Sequence, residues 1–290
     1  MTAQRLPLVF FTKHFATMTV GEWIEKAHRL GFEGFDVACR PGHTIHPDNV
    51  RAALPKAAKQ FRDAGLVLPM LTGAGDLLEP TDRTAEPILA AMQESGIGLL
   101  KLGYFSIDNA TQDYWERVDY ARRQLEGWAR LGEKFRVRIC YHTHSQPMWL
   151  GLNAAAIMHL VNGFDPRWIG VYLDPGHLII DGEHPDIAVN MVKRHLAAVG
   201  LKDMRKEPNP IGPGCRMIIT RAGLGFVDWP NFFANLRRVG FEGPLSVHAE
   251  YNRNYPQNAK GEAEYVASLA EEFAFFKRMR GDGSDPRPSQ

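Results

Sequence analysis

One pattern constrains this 290-residue chain more than any other: short apolar runs alternate with longer amphipathic stretches from end to end. Eight runs have the length and apolar character of buried strands: 6–12, 34–39, 66–71, 99–104, 137–142, 169–174, 196–201 and 244–249. Between them, segments such as 19–30, 47–64, 84–95, 111–131 and 228–239 carry the 3.6-residue periodicity of helices docked on a core. Strands that read as continuous apolar runs are covered on both faces, as in parallel sheets. Eight such units without a linker predict an α/β chain closed into a (β/α)8 TIM barrel, a single domain over residues 1–280. The polar ending "RGDGSDPRPSQ" predicts a flexible C-terminal tail over 281–290. An open doubly wound sheet is the alternative, weakened because no GxGxxG follows the first strand.

Local signals agree with this spacing. Thr19 with Glu22 forms a capping-box pattern. Gly31, Gly65, Gly96, Gly132, Gly163 and Gly240 stand where helices should end, and glycine enters the left-handed C′ conformation without strain. "RLGFEGF" (29–35) and "RVGFEGP" (238–244) repeat one phrase leading from a helix into a strand. The stretch 204–221 is the longest connection and is expected to be a functional or mobile loop.

Bulk properties narrow the function. Thirty-four Lys and Arg against 33 Asp and Glu leave a net charge of +1 without a basic block, which argues against a nucleic-acid partner. No apolar run is long enough for a membrane span, so no membrane partner is expected. Cys39, Cys140 and Cys215 form no CxxC, and free thiols in a reducing, cytoplasmic setting are expected.

Barrel geometry then selects residues. Alternate strand positions point inward, and chemistry gathers at the C-terminal ends of the strands. In the fifth strand Arg138, Cys140 and His142 turn inward, with His144 just beyond. In the sixth, Tyr172 and Asp174 do so, with His177 close by. In the seventh the inward set is Ala198, Gly200 and Lys202; in the eighth it is Ser246, His248 and Glu250. So many imidazoles and acids at one rim would be unfavourable to bury without pairing or a metal. This donor chemistry suits a divalent ion such as Mn²⁺, Zn²⁺, Co²⁺ or Fe²⁺ without choosing among them; Mn²⁺ is the ion expected, with Mg²⁺ a further alternative. Asp174 stands in "LDPGH", where it can also cap the following helix, since Asp–Pro is a good helix start. Lys101 is placed at the barrel floor or its mouth, with an ion pair to Asp36 as the purely structural alternative. His43, Lys13, His14 and Arg40 lie in rim loops and are expected near substrate.

At these residues the sequence resembles the sugar phosphate isomerase/epimerase family, with its xylose isomerase-like barrel. That family includes ketose 3-epimerases, hydroxypyruvate isomerases, inosose dehydratases and endonuclease IV. The matching pieces are "RLGFEGFDV", "YHTHS", "IGVYLDPGH", "VGLKD", "GLGFVDWPNFF" and "GFEGPLSVHAEY". The resemblance implies one divalent ion held by Glu, Asp, His and Glu from the fifth to eighth strands, the two Glu also moving the proton. Here Asp174 matches, His142 stands for the first Glu, Gly200 for the His, and His248, with Glu250 two residues on, for the last Glu. The implied ligands are His142, Asp174 and either His248 or Glu250. Lys202 could place its ammonium where Gly200 offers no side chain.

The expected function is a metal-dependent isomerase or epimerase of a small keto-sugar or sugar phosphate, working through an enediolate. Glu250 is the first expected base, its pKa tuned upward by desolvation, and His142 or His144 the second. His144, His177, Lys202 and His43 are expected to contact substrate, Asp203 to orient Lys202, and Arg216 to meet a phosphate or carboxylate. The "YHTH" stretch, similar to one in inosose dehydratases, keeps a lyase acting on a keto-inositol or 3-keto-glycoside as the alternative. Gly200 likewise keeps open a non-catalytic sugar-binding relative. A DNA-repair reading is disfavoured by the near-neutral charge and missing ligands. Family members often pair, so a homodimer is expected.

Overall fold

The computed structural model describes residues 6–251 and 259–282. Residues 283–290 of the expected tail lie outside this range. Eight parallel strands close into a barrel: β1 (Leu8–Phe11), β2 (Gly34–Ala38), β3 (Val67–Thr72), β4 (Leu99–Lys101), β5 (Arg138–His142), β6 (Ile169–Leu173), β7 (Leu196–Leu201) and, after an antiparallel hairpin, β10 (Leu245–Val247). The hairpin comprises β8 (Asp203–Pro208) and β9 (Cys215–Thr220). The helices are α1 (Val20–Leu30), α2 (Val50–Asp63), α3 (Ala85–Ser95), α4 (Tyr114–Phe135), α5 (Ala154–Val161), α6 (Pro175–Ile180), α7 (Pro185–Val192), α8 (Trp229–Arg238) and α9 (Ala259–Arg280). Closure comes where β1 pairs with both β2 and β10. The chain is thus a single-domain (β/α)8 barrel, as the alternation predicts.

The inward–outward assignment of the last four barrel strands holds. Ile139, Tyr141, Val171, Leu173, Val199, Leu201, Leu245 and Val247 belong to the large apolar layer between strands and helices. Inside the barrel a smaller cluster of Met70, Cys140, Tyr172, Ala197 and Ala198 fills the centre. At its floor Arg138 donates to the carbonyls of His195 (2.8 Å) and Leu196 (3.3 Å). Gly170 makes room for it, since a Cβ there would meet Arg138 Nε at 2.8 Å.

The capping box at Thr19 and Glu22 is present in full, and Gly31 and Gly96 close their helices in the left-handed region. Gly132 does not. It lies inside α4, which runs on to end at Arg136 with φ 56°. Its glycine serves close approach instead, because a Cβ would stand 2.7 Å from the Val137 carbonyl oxygen. The stretch 204–221 is also not an open loop. Its residues pair across β8 and β9, and Met204, Met217 and Ile219 reach over the barrel mouth.

Candidate active site

The C-terminal ends of the strands open into a cavity of about 470 Å³. Its wall includes His142, His144, His177, Lys202, His248 and Glu250, so six of the expected site residues share one space. Asp174 lies directly beneath, fully buried.

Both readings of Asp174 are realised, one on each oxygen. Oδ1 accepts from the backbone N–H of Gly176 (2.9 Å) and His177 (3.3 Å), capping α6. Oδ2 has no hydrogen-bond partner. It faces His142 Nε2 at 3.6 Å, His177 Nε2 at 3.8 Å and Lys202 Nζ at 3.6 Å. The strand-to-helix junction explains the split: Pro175 starts the helix, and Asp174 ends a strand aimed at the barrel mouth.

His142 Nε2 is likewise buried without a hydrogen bond, while its Nδ1 lies 2.9 Å from Tyr104 Oη. A partner on one ring nitrogen fixes the ring and leaves the other free, which is how ligating histidines are usually held. Ligating atoms of His142, Asp174 and His248 lie within 4.8 Å of one another. These three residues thus offer a donor set that could hold a divalent ion. Burial, reinforced by Lys101 and His248, drives the His142 pKa well below its usual value, so the ring is neutral and able to ligate. His248 Nε2 lies 2.7 Å from Tyr172 Oη, which in turn donates to Asp36 at 3.1 Å.

Glu250 departs from its expected tuning. Burial raises its pKa, but Lys202, His248 and Lys13 outweigh burial and hold it well below the usual carboxylate range. Lys202 Nζ pairs with its Oε2 at 2.7 Å, and Lys13 pairs with its Oε1. A carboxylate locked between two ammonium groups is a weak base. For Lys202 burial works against the charge, yet Glu250 and Asp174 prevail and raise its pKa. Lys202 Nζ also lies 3.1 Å from His177 Nε2, and Ser145 lies behind that ring, its Oγ 2.7 Å from Nδ1. His144 is neutral too, pushed down to about 3 mainly by burial, and its Nδ1 has no hydrogen-bond partner.

Three expected residues stand elsewhere. Asp203 does not orient Lys202. Its buried carboxylate accepts from the backbone N–H of Met204, Gly223, Gly225 and Val227 and from the Trp229 indole. Arg216 lies on the hairpin, half exposed and paired with Glu207 at 2.9 Å. His43, in the loop after β2, does not line the cavity; burial pushes its pKa down to about 4. The Lys101–Asp36 ion pair does not form either. Asp36 accepts from Thr72 (2.8 Å), Tyr172 (3.1 Å) and Ser246 (3.0 Å), whereas Lys101 Nζ sits 3.7 Å from the Tyr104 ring centroid.

Sequence reasoning passed over Tyr104 and Ser145. A tyrosine just after a short strand and a serine beyond "HTH" carry no periodic signal. Only their position at the rim marks them.

Comparison with known proteins fits this fold. The family model described as a xylose isomerase-like TIM barrel matches residues 24–273. The chain belongs to that family. In sequence it is similar to an inosose dehydratase of Lacticaseibacillus casei, 28% identical over 181 residues, which cover 57% of this chain and 58% of that protein. The chain thus spans a little over half the length of the curated relatives it matches. In fold it is similar to the D-psicose 3-epimerase of Clostridium cellulolyticum H10, with a TM-score of 0.73 at 14% identity over 95% of this chain and 99% of that one. A probable 3-DHS dehydratase of Bacillus anthracis superposes with a TM-score of 0.68 at 14% identity, covering 94% and 99%. At such identities the likeness is one of fold.

Proposed function

We propose that this xylose isomerase-like protein is a metal-dependent enzyme that enolises a small polyhydroxy ketone, as sugar isomerases do. The observation that carries this reading is the pair of buried, unpartnered donor atoms, His142 Nε2 and Asp174 Oδ2, facing each other across 3.6 Å beside a sugar-sized cavity. His142, Asp174 and His248 would hold a divalent ion, which when bound polarises a carbonyl and acidifies the neighbouring C–H.

The other residues divide the remaining work. Lys202, kept charged by Glu250 and Asp174, donates to a substrate oxygen as negative charge builds on it. His177, backed by Ser145, orients a neighbouring hydroxyl. His144 is the cavity imidazole whose Nδ1 has no hydrogen-bond partner, and it takes the proton from the carbon next to the carbonyl to give the enediolate; Asp174 and Glu250 raise its basicity against burial and the lysines, and the negative charge building on the substrate adds to them. Returning it to the adjacent carbon completes isomerisation.

A second reading follows because, among the described residues, His144 is the one base taken as free. Epimerisation delivers the proton from the face opposite the one that lost it, which calls for a second base, and Glu250 is held by two lysines. A single base can instead pass its proton to a departing β-hydroxyl, giving water and a dehydrated ketone. The inosose dehydratase relatives favour this branch.

Two measurements test the proposal. Purified protein should carry a divalent metal, and His142→Ala and Asp174→Ala should each lose most of it. Incubated with ketoses in D₂O, the metal-loaded protein should place deuterium next to the carbonyl, with His144→Gln at least about 100-fold slower. Equal metal content in all three proteins, or no exchange with any ketose or keto-inositol, defeats the reading.

A further inference from the structure

Lys101 is a barrel cation without an acidic partner. It is 2% exposed, and its Nζ lies over the Tyr104 ring, 3.7 Å from the centroid, with no hydrogen-bond partner. Lysine is seldom buried so fully without a counter-ion. Among the described residues no acid pairs with it: Asp36 accepts from three hydroxyls, Glu250 pairs with Lys13 and Lys202, and Asp174 caps α6 with one oxygen and faces His142, His177 and Lys202 with the other. Arg40 stands on the same wall. Its Nε donates to the Gly73 carbonyl at 3.1 Å, and the Gly73 N–H donates to the Lys101 carbonyl at 2.9 Å, so one residue ties both cations together. Among the described residues Arg40 enters no ion pair; its guanidinium lies 5.4 Å from the Phe11 ring centroid. The cavity wall therefore carries Lys13, Arg40, Lys101 and Lys202 against the single carboxylate of Glu250.

We infer that the cavity takes an anionic polyhydroxy ketone whose carboxylate or phosphate sits between Lys101 and Arg40. This rests on the proposed ketone chemistry for the other half of the ligand. An anion there supplies the missing counter-charge and receives N–H donors from a lysine and an arginine, an arrangement suited to either oxyanion. Burial, reinforced by Arg40, drives the Lys101 pKa well below its usual value, and a bound anion would restore the ammonium. The anion-binding role expected of Arg216 thus falls to residues on β4 and the loop after β2.

Calorimetric titration of the metal-loaded protein with D-fructose, 5-keto-D-gluconate and D-fructose 6-phosphate tests this. At least one anionic sugar should bind about tenfold or more tighter than D-fructose, and the one favoured identifies carboxylate or phosphate. Lys101→Met and Arg40→Met should each remove that advantage while leaving D-fructose affinity within about twofold. Lys101→Met should melt no lower than wild type, because an unpaired buried amine is replaced by a thioether of similar size. Equal binding of all three sugars, failure of both anions to bind at millimolar concentration, or an advantage that survives in both variants overturns the inference. So does a clear fall in the Lys101→Met melting temperature, the mark of a structural strut. Selective anion binding without deuterium exchange would leave this inference standing and remove the proposed enolisation instead.

Discussion

Gly200 lies on the inward face of β7, and Lys202 follows two residues on, just past the strand end. A Cβ at Gly200 would meet Asp174 Oδ2 at 3.2 Å, so glycine here leaves the carboxylate clear on that side. From the next inward position Lys202 approaches the same oxygen at 3.6 Å. Its ammonium and a divalent ion then repel each other across a largely dehydrated space, where like charges a few ångströms apart are felt at the kcal/mol scale. Lys202→Met should therefore bind Mn²⁺ about tenfold or more tightly, while losing activity through the missing donor. Calorimetric titration with Mn²⁺ beside a turnover assay measures both; unchanged affinity would mean that ammonium and ion do not compete. At this scale the parity of strand residues was legible, because side chains alternate with a strict period of two. The protonation state of Glu250 was not, because it depends on Lys202 and His248 and on Lys13, which is 237 residues away.

The β8–β9 hairpin shows the same division at the level of an element. Its length signalled function, but the pairing of Asp203–Pro208 with Cys215–Thr220 left no strong mark, since β8 is largely charged and β9 is mostly only partly buried. Asp203 anchors the segment that follows. Four backbone N–H groups and an indole converge on its buried carboxylate, and Gly225 passes so close that a Cβ would stand 2.1 Å from Oδ1. Hydrogen bonds to a buried charge contribute strongly, and their donors are left unsatisfied when it is removed. Asp203→Ala should destabilise the protein by about 3 kcal/mol or more, measured by urea unfolding. The variant should also weaken ketose binding, since β8 and β9 carry Met204, Met217 and Ile219 over the cavity. A loss below about 1 kcal/mol would show that the loop holds without this anchor.

Across the whole molecule the barrel is sealed by α9 returning against α1 and α8. On that helix Glu272 is buried and accepts from the Ala222 N–H at 3.1 Å, and burial pushes its pKa from 4.5 up to about 8. An acid raised on folding stabilises fully below its unfolded pKa. That contribution is lost as pH rises toward the folded value, because the unfolded chain releases its proton first. Between pH 4.5 and about 8 Glu272 should make stability fall with rising pH. Glu272→Gln should flatten this dependence and melt higher than wild type above the window, with little difference below it. Thermal melts on both sides of the window test the sign.

The sequence by itself determined the closed barrel and which side chains face its axis. Both follow from short-range periodicity, which every strand and helix writes locally. Only the tertiary structure decided what those side chains do. It placed Lys13 and Lys202 on Glu250, gave Asp36 to three hydroxyls, and left Lys101 without a counter-ion. The physical reason is that charge, protonation and metal affinity depend on distances between strand ends far apart in the chain, and closure of the barrel is what sets those distances.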